Sequence, residues 1–119
     1  MAFHTTHNEH YVLIEPEYDY IEIEDLDDII NQILGDFTEV CFVILFMGTL
    51  DYLSEEDLDQ LFFLNDELIV KGGYLLVVTH SEKIAAVLKN KINISPTIDE
   101  AFDTIESQWL DKALFLGEN

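Results

Sequence analysis

Apolar and polar residues follow one another in blocks whose period changes several times along the chain. Residues 40–47 and 74–79 are apolar at almost every position. A strand that is apolar on both sides is typical of the centre of a parallel sheet whose two faces are both covered. A shorter apolar run, residues 11–14, closes at Glu15-Pro16, and the aromatic and β-branched residues 18–23 are predicted to pair with it as a hairpin.

Between these strands, apolar residues recur every three or four positions, which indicates helices with one buried face. Gly35 stands where the first helix is expected to stop, and Ser54 with Asp57 has the spacing of a capping box. The predicted helices cover residues 25–34, residues 54–70 with Leu58, Leu61, Phe62, Leu68 and Ile69 inward, a segment from Ser81 with Ile84, Val87 and Leu88 inward, and a segment after the capping pair Thr97 and Glu100.

Buried strands that alternate with amphipathic helices predict an α/β domain with a mixed, mostly parallel sheet of four or five strands. The predicted order is β-β-α-β-α-β-α-β-α, in which the last strand is a short one over residues 92–94. The chain has 119 residues, the usual size of one domain. We expect that domain over residues 11–116, preceded by a flexible arm over the polar residues 1–10.

The net charge is the most unusual property of the sequence. It is −20, from 25 acidic residues against five lysines, and no lysine or arginine precedes Lys71. This field excludes nucleic-acid binding through phosphate neutralisation and disfavours anionic membranes, whereas it steers a basic protein partner towards the chain. A solvated acidic coat explains the charge equally well, and mimicry of nucleic acid would require the acids to line one face.

Nothing in the sequence predicts passage into or across a membrane. No apolar run approaches the ~20 residues that a membrane helix needs, and residues 1–10 lack the basic and then apolar order of a secretory signal. The single cysteine, Cys41, has no internal disulfide partner and is expected to be a small core residue. We therefore expect a cytoplasmic protein with no membrane insertion and no cofactor.

The order and spacing of these segments resemble the STAS domain, the fold of bacterial anti-sigma factor antagonists and of the cytoplasmic tails of sulfate transporters. The resemblance covers residues 43–105 and rests on VILFMGTLDYLSEEDLDQL, KGGYLLVVTHSEKIAAVL and SPTIDEAFDTI. It implies a STAS-like sheet with helices packed against it. It also implies a non-enzymatic protein-interaction module of bacterial signalling, whose partner is an anti-sigma factor or a kinase-like protein.

The resemblance also implies where the partner binds. In the family, an Asp-Ser-Ser/Thr-Gly-Leu signature opens the helix after the buried strand, and the partner kinase phosphorylates its first serine. Here Ser54 stands at the Asp, Glu55 at the phosphorylated serine, Glu56 at the next Ser/Thr, Asp57 at the glycine and Leu58 at the leucine. The implied partner surface is therefore Leu53, Ser54, Glu55, Glu56, Asp57 and Leu58, without a phospho-acceptor.

The acid at position 55 has two interpretations. A glutamate carries −1 against roughly −1.5 to −2 for phosphoserine, and a helix start favours negative charge, so Glu55 would imitate the phosphorylated state in part. Alternatively, the chain lost the phosphorylation switch and kept acids that stabilise the helix start.

Two groups of residues raise the question of a metal site. The first group is three histidines, each three residues from the next. On a helix they would share a face and hold zinc or nickel, but no helix former supports a helix over residues 4–10. A calcium loop needs alternating oxygen ligands and a turn glycine, and the acidic group lacks the glycine. The groups are His4, His7 and His10 with Glu9, and Glu24, Asp25, Asp27 and Asp28. We predict no metal site at either.

Two further hypotheses compete with the interaction module. In a degenerate receiver domain, Asp51 would take phosphate and Lys83 would be the conserved lysine, but Glu15-Pro16 stands where the acid pair is required. The other is a domain that binds a nucleotide or lipid, for which the sequence indicates no particular pocket. His80 follows the strand over residues 74–79, at a carboxyl end where ligands often bind in open α/β sheets. A histidine in an ordinary turn is the simpler interpretation of His80.

Overall fold

Five strands and four helices make up the described part of the protein, whose structure is a computed structural model. It describes residues 3–7, 11–16, 26–36, 41–48 and 50–117, with side chains as far as residue 107. The strands are β1 (Phe3–His7), β2 (Tyr11–Pro16), β3 (Phe42–Gly48), β4 (Tyr74–Thr79) and β5 (Asn93–Ser95). The helices are α1 (Leu26–Asp36), α2 (Glu55–Val70), α3 (Glu82–Leu88) and α4 (Ile98–Gly117).

The strands form one mixed sheet in the order β1-β2-β3-β4-β5. β1 and β2 are antiparallel, and the pairs from β2 to β5 are parallel. Each parallel step moves in the same direction across the sheet, and such crossovers are right-handed. The crossover helices α1, α2 and α3 therefore lie on one face, and α4 covers the other. The predicted α/β class and mostly parallel sheet are confirmed.

Strand β3 shows why its sequence is apolar throughout. Val43, Leu45 and Met47 belong to the core beneath α1, α2 and α3. The residues that alternate with them, Phe42 and Ile44, belong to a second core beneath α4, and Phe46 packs against that core. Complete burial of a large apolar side chain contributes about 1.5–3 kcal/mol, so both helical layers are held by this strand.

Residues 3–7 correct the predicted flexible arm over residues 1–10. They form β1, which pairs with β2 from Phe3 opposite Pro16 to His7 opposite Val12. Phe3 is buried in the core beneath the first three helices, and the strand covers an edge of β2 that would otherwise expose unpaired backbone groups. The predicted strand over residues 18–23 lies outside the described residues.

Two apolar residues that were expected to face the core are exposed instead. Ile69 on α2 and Val87 on α3 are 54% and 53% exposed. The buried face of α2 is centred on Leu61, Leu64 and Leu68 and so leaves Ile69 at its margin. Helix α1 also runs one residue past the expected stop at Gly35.

The buried face of α2 includes a polar residue, Asn65, which is only 5% exposed. Its Nδ2 donates a hydrogen bond to the carbonyl oxygen of Lys91 over 3.0 Å. Its Oδ1 accepts one from the backbone N–H of Leu75 over 2.9 Å. One side chain thus joins α2 to β4 and to the turn that precedes β5.

We expect Asn65→Ala to lower the free energy of unfolding by about 1–3 kcal/mol, because it leaves the buried N–H of Leu75 without its acceptor. Urea denaturation measures this change. The control is Asn90→Ala, a change at an exposed turn, for which we expect less than about 0.5 kcal/mol. Equal stability of the two variants would refute the role given to Asn65.

The start of β4 approaches the start of β3 very closely at Gly73. A Cβ atom there would lie 2.0 Å from the backbone oxygen of Cys41. The half-buried Cys41 itself lies just before β3 and packs at the edge of the core beneath α4. Glycine at position 73 is therefore required for the two central strands to align.

Two glycine variants test this packing, because they are expected to change the free energy of unfolding in opposite directions. Gly73→Ala should lower the free energy of unfolding by about 1–3 kcal/mol, since backbone must move to admit the methyl group. Gly35→Ala should raise it by up to about 1 kcal/mol, because alanine is the better helix former and nothing lies within 4 Å of the added carbon. Thermal and urea unfolding report both, and a neutral Gly73→Ala would contradict the packing.

Candidate functional site at the start of the second helix

The end of β3 and the described residues 50–54 before α2 make several contacts with the sheet and the core. The register between β3 and β4 shifts between Phe46 and Gly48, and Gly48 has a φ of 66°, in the left-handed region that glycine tolerates. The backbone N–H of Leu50 donates to the carbonyl oxygen of Met47 over 3.3 Å. Leu50 and Leu53 then pack against the core beneath α1, α2 and α3. These contacts determine where α2 begins relative to the sheet.

Helix α2 begins with a reciprocal pair of hydrogen bonds. The backbone N–H of Asp57 donates to Ser54 Oγ over 3.1 Å, and the N–H of Ser54 donates to Asp57 Oδ2 over 3.0 Å. The predicted capping box is confirmed. Serine ranks with aspartate among the most favourable N-cap residues, so Ser54 caps the start of α2 well.

The six residues of the sequence-predicted partner surface share one turn of chain but differ in exposure. Leu53 and Leu58 are half-buried and pack against the core. Asp57 is 7% exposed and, with Ser54, is engaged in the capping box. Glu55 and Glu56 are exposed. A partner that docks here would meet these two carboxylates.

Ser54→Ala should lower the free energy of unfolding by about 1 kcal/mol, because the N–H of Asp57 loses its acceptor. Ser54→Asp should retain stability close to that of the original chain, since aspartate caps equally well. Chemical denaturation measures both. If Ser54→Asp destabilises as much as Ser54→Ala, the capping account is wrong.

Three helices begin at this same edge of the sheet, because β3, β4 and β5 run parallel and each helix follows its strand. Ser81 Oγ accepts from the N–H of Ile84 over 3.3 Å, and Thr97 Oγ1 accepts from the N–H of Glu100 over 3.1 Å. The first turns of α2, α3 and α4 carry Glu55, Glu56, Asp57, Glu82, Asp99 and Glu100. The helix starts thus present negative charge at the position where helices bind external anions.

An open pocket of about 410 Å³ lies at this edge, lined by Asp51, His80, Ser81, Glu82 and Lys83. His80 is exposed in the turn after β4. Its ring meets that of Phe46 edge to face at 5.9 Å, as expected for a turn histidine with an aromatic neighbour. The pocket brings together Asp51 and Lys83, the two residues that the receiver hypothesis requires.

The sheet argues against the receiver hypothesis in other respects. The doubly wound sheet of response regulators has the strand order 2-1-3-4-5, and ligands bind where that order reverses. The described strands here stand in chain order, with an antiparallel first pair. They contain no reversal and no crevice of that kind.

The remaining metal candidates do not assemble within the described part of the chain. His4 and His7 lie on β1, where an odd spacing turns side chains to opposite faces. Asp27 and Asp28 are exposed in the first turn of α1, whereas Glu9, His10, Glu24 and Asp25 lie outside the described residues. Among the described side chains, no group of three or more His, Cys, Asp or Glu is placed to hold a metal ion.

The described residues form an α/β domain with a five-stranded mixed sheet, three helices on one face and a fourth on the other. The chain is similar to the solved "NMR Structure of the protein TM1081", with a TM-score of 0.68 and 16% sequence identity over 86% of each chain. An identity this low shows a shared fold alone. The sequence matches no model of a known protein family and no curated protein.

Among the described helices, none combines the length and the apolar character of a membrane span.

The features of the site differ in how clearly the sequence indicates them. The exposure of Glu55 and Glu56 beside a buried Asp57 depends on the capping box, whose spacing the sequence shows. The pocket at the sheet edge depends instead on residues from two separate loops, so only the fold brings them together.

Proposed function

We propose that this chain is a non-enzymatic, STAS-like protein-interaction module that acts in the manner of an anti-sigma factor antagonist. Its binding surface is the start of α2, where Glu55 and Glu56 are exposed on a turn that the capping box and Leu53 hold in place. This rigidly held pair of carboxylates, at the positions of the family's phosphorylated serine and its neighbour, is the observation that carries the proposal.

Two further observations support it. Over residues 43–105, on which the resemblance rests, the described elements from β3 to α4 follow the predicted alternation of strands and helices. The edge that carries α2 is strongly acidic, with Lys83 as the basic residue lining its pocket. A partner with a basic surface would be attracted to this edge, and charge of this kind raises association rates.

The proposal gives Glu55 a permanent charge in place of a switch. A carboxylate in the first turn of a helix is favoured by the unpaired N–H groups and the helix dipole. It cannot be removed by a phosphatase or added by a kinase. In this proposal the partner, an anti-sigma factor or kinase-like protein of the cytoplasm, therefore meets the same charge at all times.

A nucleotide or lipid ligand is less well supported by the same edge. Phosphate groups bind at helix starts because the N–H groups there are free and the dipole is positive. The starts of α2, α3 and α4 already carry acids and hydroxyl caps. Repulsion between these acids and phosphate favours a basic protein over either ligand.

Affinity capture tests the proposal. The immobilised chain should retain one protein partner from an extract of its source cells at low salt, and the retention should decline as salt is raised. Glu55→Lys with Glu56→Lys should weaken capture about tenfold or more, since each exposed charge contact contributes up to about 1 kcal/mol and reversal adds repulsion.

The control applies the same change of charge on the opposite face, with Asp103→Lys and Glu106→Lys on α4, both exposed positions. It should capture the partner as well as the original chain does. If both double variants lose the partner equally, the loss is due to net charge and the start of α2 is not the binding surface. If the original chain captures no partner, the proposal is overturned.

A further inference from the structure

Helices α1 and α2 lie side by side on the sheet and leave a groove of about 360 Å³ between their outer faces. It is lined from α1 by Asp27 and Ile30 and from α2 by Glu56, Asp59, Gln60 and Phe63. We refer to it as the acidic groove. Gln60 Nε2 donates a hydrogen bond to Asp27 Oδ1 across it, so the two walls are joined.

Two apolar side chains, Phe63 and Ile30, are part of the lining of the acidic groove. Phe63 is 52% exposed although it is a large aromatic residue on a helix whose core face is complete without it. Ile30 lies beside it on α1 and is buried. A single exposed apolar residue is ordinary, but here the aromatic ring lines a groove with a second apolar side chain, which is typical of a docking position.

Acidic side chains lie on the same exposed face of α2 as Phe63. Glu56, Asp59, Phe63, Glu67 and Val70 recur at the helical spacing that places them on one face. All five are exposed. Neither α1 nor α2 contains a lysine or an arginine. The exposed face of α2 therefore combines three negatively charged side chains with two exposed apolar ones.

Charge decides between the classes of occupant. A second copy of this chain would bring another acidic surface against the groove, and like charges placed opposite one another cost several kcal/mol. A positively charged segment would instead be attracted to the acids of the groove. Grooves between helices commonly accept an amphipathic helix, which is read through apolar anchors at i, i+3, i+4 and i+7.

We propose that the acidic groove binds a basic amphipathic helix of a partner protein. One apolar side chain of that helix packs against Phe63 and Ile30, and flanking Lys or Arg side chains meet Glu56 and Asp59. The inference rests on the proposed function and extends it, because Glu56 belongs both to the start of α2 and to the groove. It names the chemical class of the segment that the module recognises.

The test uses a synthetic, end-blocked 18-residue peptide of leucine and lysine, with the leucines on one helical face and a fluorescent label. Its comparison is a permuted peptide of identical composition with the leucines spread around the helix. Fluorescence anisotropy against the full chain gives both affinities. We expect the amphipathic peptide to bind at least tenfold more tightly, and equal affinities would overturn the inference.

Matched variants locate the binding. Phe63→Ala with Asp59→Asn should weaken binding of the amphipathic peptide about tenfold. The control, Val87→Ala with Asp103→Asn, removes one apolar side chain of similar exposure from α3 and one acid from α4, and should bind like the original chain. Equal weakening by both variants would overturn the groove as the binding site.

The same variants separate this inference from the proposed function. If Phe63→Ala with Asp59→Asn still captures the cellular partner at the original level while Glu55→Lys with Glu56→Lys does not, the module stands and the groove is refuted. If the groove variant also loses the partner, the inference is supported. If the original chain binds the amphipathic peptide but captures no partner, the proposed function alone fails.

Discussion

Burial of strands β3 and β4 on both faces is the constraint on which the rest of the structure depends. Their apolar residues alternate between two cores, one beneath α1, α2 and α3 and one beneath α4. Right-handed crossovers between strands in chain order place the first three helices together on one face. The other face is then left to the chain that follows β5, where Ala101 and Ile105 of α4 are fully buried.

The parts of the fold that depend on local pattern could be predicted from the sequence. Strand β4 and the capping box at Ser54 have the predicted residues, since an apolar run and a side-chain cap are settled within a few positions. Strand β1 has no apolar run of its own, because His4, Thr5 and Thr6 are polar. Its pairing with β2 is visible only in the structure. Ile69 lies at the margin of the buried face of α2, whereas Asn65 lies within that face, where a pattern of apolar residues gives no sign of a polar one.

The candidate site shows the same division. The resemblance indicates the start of α2, and the structure adds which of its side chains are exposed, because the capping box withdraws Ser54 and Asp57 into the helix start. The acidic groove has no sequence signal of its own. Its walls are joined by Asp27 and Gln60, which are 33 residues apart, so only the packing of α1 against α2 makes them neighbours.

Asn65 has a consequence for the surface that α2 presents. Its two hydrogen bonds fasten α2 to β4 and to the segment before β5, so the helix that carries the candidate surfaces cannot slide or rotate along the sheet without losing both. A ligand that bound to α2 would then meet a helix whose backbone is already in place. The conformational entropy lost on such binding would come from the exposed side chains of the helix and from the ligand, and not from ordering of the helix.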